Sequence, residues 1–226
     1  EGRIVRLRFD VYDGAKFELQ FIRVVALPTA PGATKADFDF SQGQEGWQWL
    51  QTIHEAVPFL WVGGEFETGP SGMLFSPPVQ IDTTNQNYVS VRMAVNRGNT
   101  ATLFFASTQK PGLHSFSFPI EPDGREHTYN LDFLSAADWR GKVIALGLRP
   151  SDAANATVRL HWLKVTDQPQ GPAQLKILSF AMDEALPRVG LPATLRLAVS
   201  NTGGEPARDV RANLKLTVGV RLLEDH

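Results

Sequence analysis

Apolar and polar residues alternate with a period of two along most of this chain, in short runs separated by Gly, Pro, Asn and Asp. This pattern is typical of antiparallel β-strands that bury one side, since a helix would repeat its apolar positions roughly every three to four residues. Only residues 48–55 and 134–140 are compatible with a short helix. The pattern therefore predicts an all-β protein built as an antiparallel β-sandwich.

A strand–turn–strand pattern occurs twice in the chain. Residues 2–24 and residues 141–165 both open with Gly and a basic residue, cross a polar turn and close as an alternating strand. A repeat at domain-sized spacing indicates tandem modules. We therefore interpret residues 1–27 as the closing hairpin of a preceding homologous module. A lone hairpin is marginally stable in water, so this one is expected to dock on a larger body.

Two segments rich in Pro, Gly and polar residues, 28–36 and 167–174, are predicted linkers. Residues 175–226 begin a further strand–turn–strand unit, predicted to be a partial Ig-like sandwich because such domains need about 100 residues. Between the linkers, residues 37–166 are predicted to form one complete sandwich domain. Its candidate strands are 37–40, 47–52, 59–62, 65–68, 72–75, 88–95, 101–106, 114–120, 127–133, 142–148 and 156–165.

Alternation sorts the side chains of the middle strands into two sets. The first set is predicted to fill the core: Val89, Val91, Met93, Leu103, Phe105, Phe116, Phe118, Tyr129 and Leu131. The second set is predicted to share one polar surface that also carries aromatic rings: Tyr88, Ser90, Arg92, Thr102, Phe104, Ser115, Ser117, Thr128 and Asn130.

Several stretches of residues 37–166 resemble a known family. Asp37-Phe38-Asp39-Phe40 followed by Glu45-Gly46-Trp47 is similar to the F-x-F…E-G-W opening of bacterial carbohydrate-binding modules of the galactose-binding-like group. Residues 160–165 are similar to the I-D-Y-I-R-V ending of the same family. The resemblance implies a jelly-roll sandwich with a saccharide ligand. Residues 199–204 resemble the Ig-like, CARDB-type domains that accompany such modules in secreted bacterial glycosidases.

Five residues are candidate ligand contacts. Trp61 stands beside two glycines, where a flat indole can stack on a sugar ring. Arg92 offers a guanidinium fork for hydroxyl groups or a uronate. Phe104, Asn130 and, at the rim, His114 would complete an aromatic and polar surface of the kind that saccharide sites need. The alternative for Arg92 is an ion pair with a cross-strand partner such as Asp132 or Glu126. For the others it is an ordinary residue of a solvated sheet. Packing in the core or at its edge is the expected role of Trp47, Trp139 and Trp162, and Trp49 is expected in the core beside Trp47.

A structural calcium ion is a further implication of the family resemblance. Calcium binds six to eight oxygen atoms from carboxylates and carbonyls. The acidic side chains available at the corresponding strands are Asp37, Asp39, Glu45 and Asp132.

Composition narrows the function further. The net charge of −2 and the lack of a basic run argue against nucleic acid as a partner, and no stretch is apolar enough to span a membrane. The absence of cysteine excludes disulfides and thiolate chemistry. The five histidines show no metalloprotease spacing, and no nucleophile elbow or phosphate loop occurs.

The sequence thus favours a non-catalytic, carbohydrate-binding-like module of a secreted or cell-surface, multimodular bacterial protein. Its partners would be a polysaccharide or glycan and the neighbouring modules of the same protein, including an attached polysaccharide-degrading enzyme. The alternative is a structural spacer or adhesion module without sugar affinity, and a hydrolytic enzyme is a more distant one.

Overall fold

The structure is a computed structural model that describes residues 36–41, 43–52, 55–56, 64–68, 72–183 and 190–215. Every regular element within these ranges is a β-strand, and the described residues contain no helix of the length and apolarity that a membrane crossing requires. The all-β prediction is confirmed. The predicted hairpin of residues 1–27 and the predicted strand 59–62 lie outside the described residues.

Fourteen strands are described, most of them within one or two residues of a predicted strand. The short strands β3 and β6 have no predicted counterpart. In chain order the strands are β1 (Asp37–Asp39), β2 (Gln48–Thr52), β3 (Glu55–Ala56), β4 (Glu65–Glu67), β5 (Met73–Phe75), β6 (Ile81–Asp82), β7 (Tyr88–Val95), β8 (Thr100–Ser107), β9 (His114–Pro119), β10 (Glu126–Asp132), β11 (Lys142–Arg149), β12 (Thr157–Thr166), β13 (Leu175–Met182) and β14 (Leu195–Asn201).

The first twelve strands form two sheets with jelly-roll connections. Sheet A has the order β1-β12-β7-β10, with β4 also on β12. Sheet B has the order β3-β2-β5-β11-β8-β9, with β6 also on β11. The antiparallel pairs of the sandwich are nested along the chain, so that each pair lies between the two strands of the pair outside it. From the outermost pair inwards they are β1–β12, β5–β11, β7–β10 and β8–β9, the order of one long hairpin folded into two sheets. This nesting is the jelly-roll topology, so the fold-class prediction is confirmed.

The core lies between the two sheets and is rich in aromatic rings. Trp139 packs on Phe133 and Phe105, with ring centroids 4.6 and 4.9 Å apart. Trp47 packs edge-on against Phe38 at 5.3 Å. Trp47, Trp49 and Trp139 are buried as predicted, and so are the predicted core residues Val89, Val91, Met93, Leu103, Phe105, Phe118 and Leu131.

Three residues depart from full burial in the predicted core. Tyr129 is partly buried and packs against the core. Phe116 is 37% exposed because β9 is the edge strand of sheet B, although its ring still contacts Phe133. Trp162 does not pack in the core, which is one of the two positions predicted for it. A β-bulge between Leu160 and Trp162 adds one residue to β12 opposite β7, so that Leu160 and Leu163 face the core while Trp162 is half-buried on the outer side. There the ammonium group of Lys164 lies 5.5 Å from the indole.

Strands β13 and β14 form a separate two-stranded sheet after the sandwich. Its apolar side chains are exposed, including Ile177 at 64% and Phe180 at 57%. An Ig-like domain for residues 175–226 stays a prediction.

The segment between the sandwich and this hairpin is held against sheet A. Gln174 Nε2 donates to the carbonyl of Thr128 at 2.6 Å, and the backbone NH of Gly204 donates to the carbonyl of Gly171 at 3.1 Å. A Cβ on Gly203 would lie 1.9 Å from the carbonyl oxygen of Pro172, so only glycine fits at this crossing.

Candidate functional site

The outer surfaces of sheets A and B point in opposite directions, and this separates residues that the sequence placed together. Strands β7 and β10 belong to sheet A, whereas β8 and β9 belong to sheet B. Arg92 and Asn130 therefore lie on one side of the sandwich and Phe104 on the other. The predicted single polar surface is wrong, because alternation fixes the side of a strand but not the sheet that the strand enters.

One row of residues crosses sheet B on its outer surface, from Gln48 through Phe75, Gly147 and Phe104 to Ser115. These five residues are directly opposite one another on adjacent strands. Four strand spacings of about 4.8 Å give the row a length of roughly 19 Å. Its members alternate with buried neighbours such as Leu74 and Leu148, so each row residue faces away from the core.

Gly147 forms the floor between the two rings of this row. A Cβ placed on Gly147 would lie 3.2 Å from Phe104 Cβ, 3.2 Å from Phe75 Cδ2 and 3.3 Å from Met73 Sδ. The neighbouring side chains thus lean across the glycine and cover its backbone. Both rings are half-buried and keep part of their surface in solvent. We call Phe75, Gly147 and Phe104 the aromatic platform.

A polar border flanks the aromatic platform on the next row, where Arg149 pairs with Thr102 and Thr102 pairs with Ser117. The hydroxyl groups of Thr102 and Ser117 lie 3.0 Å apart. The Arg149 guanidinium carbon lies 5.9 Å from the centre of the Phe104 ring, and Arg149 Nε donates to the carbonyl of Gly72 at 3.2 Å. The border therefore places hydroxyl groups and a fixed guanidinium beside an apolar ring.

Arg92 lies in the centre of sheet A, on its outer surface, and is ion-paired. Its Nη2 and Nε atoms donate to Glu126 Oε2 at 2.7 and 3.1 Å. His161 Nε2 lies 3.0 Å from the other carboxylate oxygen of Glu126. The hydrogen bond from Arg92, followed by the charge of His161, lowers the pKa of Glu126 against the opposing effect of partial burial. A ligand role for Arg92 stays a prediction.

Asn130 is the contact between sheet A and the segment that follows it. Its Nδ2 donates to the carbonyls of Gln170 and Thr202, both at 3.0 Å. Its Oδ1 accepts from the Ser90 hydroxyl at 2.5 Å and from the backbone NH of Gln170 at 2.9 Å. Both polar atoms of the amide thus have partners within the protein, and a role in ligand binding stays a prediction.

His114 and Trp61, the two other predicted contacts, are not part of the aromatic platform. His114 pairs with Phe105 rather than Phe104, which turns it to the core side of β9, and its ring lies 5.4 Å from that of Phe105. His114 Nδ1 is 3.4 Å from a carboxylate oxygen of Asp138. Trp61 lies outside the described residues.

The four acidic residues predicted for calcium do not come together. Asp37 lies on β1 beside Lys164, with 3.2 Å between the charged groups, whereas Asp132 lies on β10, three strands away, and accepts from the Leu134 backbone NH at 2.8 Å. Asp39 accepts from the backbone NH of Ser41 at 3.0 Å. Glu45 occupies a tight turn with a φ of 52°. Calcium binding stays a prediction without a formed site in these residues.

A different group, Glu121, Asp123 and His127, brings its ligand-type atoms within 4.8 Å of one another at the turn before β10. Asp123 Oδ1 accepts from His127 Nε2 at 2.9 Å and from the Arg125 backbone NH at 2.8 Å. The Arg125 NH first and His127 second lower the pKa of Asp123. These contacts describe a local ion cluster that stabilises the turn.

Sequence reasoning named Phe104 but missed Phe75, Gly147 and Arg149 as site residues. An isolated glycine within a strand is a signal of close approach by other groups, and Gly147 lies inside a predicted strand. Arg149 follows the predicted end of that strand by one residue. The pairing of β11 with both β5 and β8 brings Phe75, Gly147 and Phe104 together. This pairing cannot be predicted from the sequence.

Comparisons with known proteins find structural similarity only. No family model matches the chain, and no curated protein matches it. The glycoside hydrolase domain of Endo-D from Streptococcus pneumoniae is 15% identical, with a TM-score of 0.38, over 69% of this chain and 27% of that one. The xylan-binding module CBM15 is 11% identical, with a TM-score of 0.40, over 57% of this chain and 95% of that one.

A third solved structure is the family 11 carbohydrate-binding module from Clostridium thermocellum, in complex with a β-1,3-1,4-mixed-linked tetrasaccharide. It is 15% identical, with a TM-score of 0.40, over 58% of this chain and 94% of that one. The chain thus spans about a quarter of the Endo-D domain and nearly the whole of each binding module. At this level of similarity the ligand has to be inferred from the site itself.

Proposed function

We propose that the sandwich binds a glycan chain across the outer surface of sheet B, on the aromatic platform and its polar border. The single observation that carries the proposal is the register of Phe75, Gly147 and Phe104, which places two half-buried rings on either side of a glycine in the middle of a sheet.

The chemistry of this surface suits a sugar. The C–H face of a pyranose is apolar and packs on an aromatic ring, while its hydroxyl groups need donors and acceptors at the edge. Thr102 and Ser117 supply hydroxyl groups beside Phe104, and Gln48 and Ser115 supply polar groups at the two ends of the row. A row of roughly 19 Å across the strands offers contact to several successive sugar rings.

Such a module would act by raising the local concentration of whatever is attached to it on a polysaccharide, because a tether converts the second encounter into an intramolecular event. Attachment to a polysaccharide-degrading enzyme in a secreted bacterial protein belongs to the same proposal.

Affinity electrophoresis and titration calorimetry against a panel of polysaccharides test the function. Phe104→Ala and Phe75→Ala are each expected to reduce affinity at least tenfold, since stacking on an aromatic ring is lost. Trp162→Ala is the matched control, because it removes an aromatic ring from the outer surface of sheet A, on the opposite side. Binding that is unchanged in both phenylalanine variants would refute the proposed site.

A structural spacer is the second candidate, and the contacts of Asn130 favour it. Two hydrogen bonds connect Asn130 to Gln170 in the segment leading into β13, and a third connects it to Thr202 after β14, which is what a spacer needs to hold its neighbours at a fixed angle. A spacer without sugar affinity would bind no member of the panel.

A further inference from the structure

Arg149 differs from the other half-buried arginine of the sandwich in having no acidic partner. Among the described residues, Arg92 and Arg149 are the arginines that are partly buried rather than exposed. Arg92 pairs with Glu126 at 2.7 Å. Within the described part of the chain, no carboxylate lies within 4.0 Å of Arg149, and its Nη1 and Nη2 atoms have no hydrogen-bond partner.

Two contacts fix the orientation of the Arg149 guanidinium. Nε donates to the Gly72 carbonyl at 3.2 Å, and the guanidinium carbon lies 5.9 Å from the centre of the Phe104 ring. Because Nε and the ring are engaged on one side, the outer edge with the two Nη groups is left for another molecule. A planar fork with parallel N–H donors matches a carboxylate in a bidentate arrangement.

The described row and border residues around Arg149 contain no acidic side chain. The row of Gln48, Phe75, Gly147, Phe104 and Ser115 contains no acidic residue. The border residues Thr102 and Ser117 are neutral as well. A partly desolvated cation on such a surface is stabilised by an anion brought by the ligand.

We propose that the ligand of the aromatic platform is an acidic glycan, in which a uronic acid carboxylate pairs with Arg149 while a sugar ring stacks on Phe104. This inference rests on the proposed function, because it names the class of glycan that the same site takes. The carboxylate accepts two hydrogen bonds from the guanidinium and neutralises its charge.

Uronate polymers and their uncharged derivatives test the inference with the full chain. The probes are polygalacturonate, alginate, glucuronoxylan and hyaluronan, each with its methyl-esterified form, which keeps the backbone and removes the charge. The chain is expected to bind at least one acidic polymer tenfold or more tightly than its ester. Raising the salt concentration is expected to weaken that preference.

Variants at Arg149 test whether this residue is the source of the preference for the acidic polymer. Arg149→Gln is expected to weaken binding of the acidic polymer about ten- to a hundredfold, as the loss of a hydrogen bond to a charged group does, and to weaken binding of the ester clearly less. Arg149→Lys keeps the positive charge but loses the two parallel N–H donors. Its affinity for the acidic polymer is expected to lie between those of the unaltered protein and Arg149→Gln. Arg92→Gln, the matched control on the opposite surface, is expected to retain the preference. Thermal unfolding of each variant shows that the sandwich is intact.

The outcomes separate this inference from the proposed function. Equal binding of acid and ester, or an equal effect of Arg149→Gln on both, overturns the acidic ligand while Phe104→Ala can still report a glycan site. Loss of the acid preference in Arg149→Gln, together with loss of all binding in Phe104→Ala, supports both. Unchanged binding in both Phe104→Ala and Phe75→Ala, or no binding to any uronate polymer, ester or other polysaccharide of the panel, refutes both. Binding to neutral polysaccharides of the panel alone overturns only the acidic ligand.

Discussion

The side-chain amide of Asn130 donates a hydrogen bond over 3.0 Å to the backbone carbonyl of Thr202, which lies 72 residues further along the chain. The same amide contacts Gln170 through both its nitrogen and its oxygen. One side chain of sheet A therefore holds two separate parts of the chain beyond the sandwich. We refer to these contacts as the Asn130 clamp.

Removing the Asn130 clamp is expected to loosen the segment after β12 without unfolding the sandwich. Asn130→Ala removes the hydrogen-bond partner of four groups, three of them beyond the sandwich. A cost of about 2 kcal/mol for local opening corresponds to roughly thirtyfold faster amide exchange. The rates of hydrogen exchange at the backbone NH groups of Gln170 and Gly204 measure this opening. Asn130→Asp keeps the acceptor and loses the donor, so it should show an intermediate effect. Protection unchanged in both variants would contradict the clamp.

Two buried tryptophans are expected to respond differently to the same substitution. Trp139 Nε1 donates to the Gln86 carbonyl at 2.8 Å, whereas Trp47 Nε1 is buried without a partner among the described residues. Trp139→Phe leaves a carbonyl unsatisfied and Trp47→Phe does not. The free energy of unfolding should fall by about 1–3 kcal/mol more in Trp139→Phe. Urea unfolding of the two variants gives the comparison, and equal losses would contradict it.

The ion pair of Glu126 predicts a specific pH dependence. Because contact with Arg92 lowers the pKa of Glu126 in the folded state, the stabilisation is complete above the unfolded pKa of about 4.3 and is lost as the pH falls through the lower folded value. Glu126→Gln should lower the free energy of unfolding near pH 7 by at most about 1 kcal/mol, since Glu126 is 39% exposed.

The difference between Glu126→Gln and the unaltered protein should shrink as the pH falls below the unfolded pKa, because Glu126 then becomes protonated in the unfolded state and, at lower pH, in the folded state. Urea unfolding between pH 3 and pH 7, as rough limits bracketing the unfolded value, follows this difference. Glu67→Gln is the control, because Glu67 is exposed and shows no ion pair within the described residues. A difference that stays constant with pH would show that the charge of Glu126 is not involved.

A side chain at Gly147 is expected to damage the aromatic platform. A valine there would bring its Cβ within 3.2 Å of Phe104 Cβ and of Phe75 Cδ2, so both side chains would have to shift. Overpacking of this kind costs about 1–3 kcal/mol of stability. Gly147→Val should also reduce glycan affinity at least tenfold in calorimetry, while Ala94→Val, at a central strand of the opposite sheet, should keep it. Full affinity in Gly147→Val would place the ligand elsewhere.

The strands and most of the core were predictable because alternation and turn residues act locally. The buried positions of β7 and β8 follow directly from their period of two. The bulge that turns Trp162 outward was not predictable, because one extra residue in β12 leaves the composition of the strand unchanged.

The candidate site was predictable only in part, for a reason of topology. Phe104 faces away from the core on its strand, as alternation indicates, but Arg92 lies on the opposite side of the sandwich. The pairing of β11 with β5 and β8 depends on contacts between residues more than 40 positions apart, such as Gly147 with Phe104 and with Phe75. Local patterns contain no information on such pairs. Gly147 is the residue whose type alone indicated a close approach of other groups, because it is an isolated glycine within a strand.

The position of β1 beside β12 determines how the jelly roll responds to mechanical load. Asp37 lies directly opposite Lys164 in antiparallel register, so the two ends of the roll leave at the same corner. Tension between those ends would break the hydrogen bonds between β1 and β12 one after another. It would not load all of them at once, as a shearing force along the strands does. A force applied through β13 reaches sheet A at its edge strand β10, because the Asn130 clamp connects the two. The clamp thereby protects β12, the last strand of the sandwich, from being pulled off the sheet.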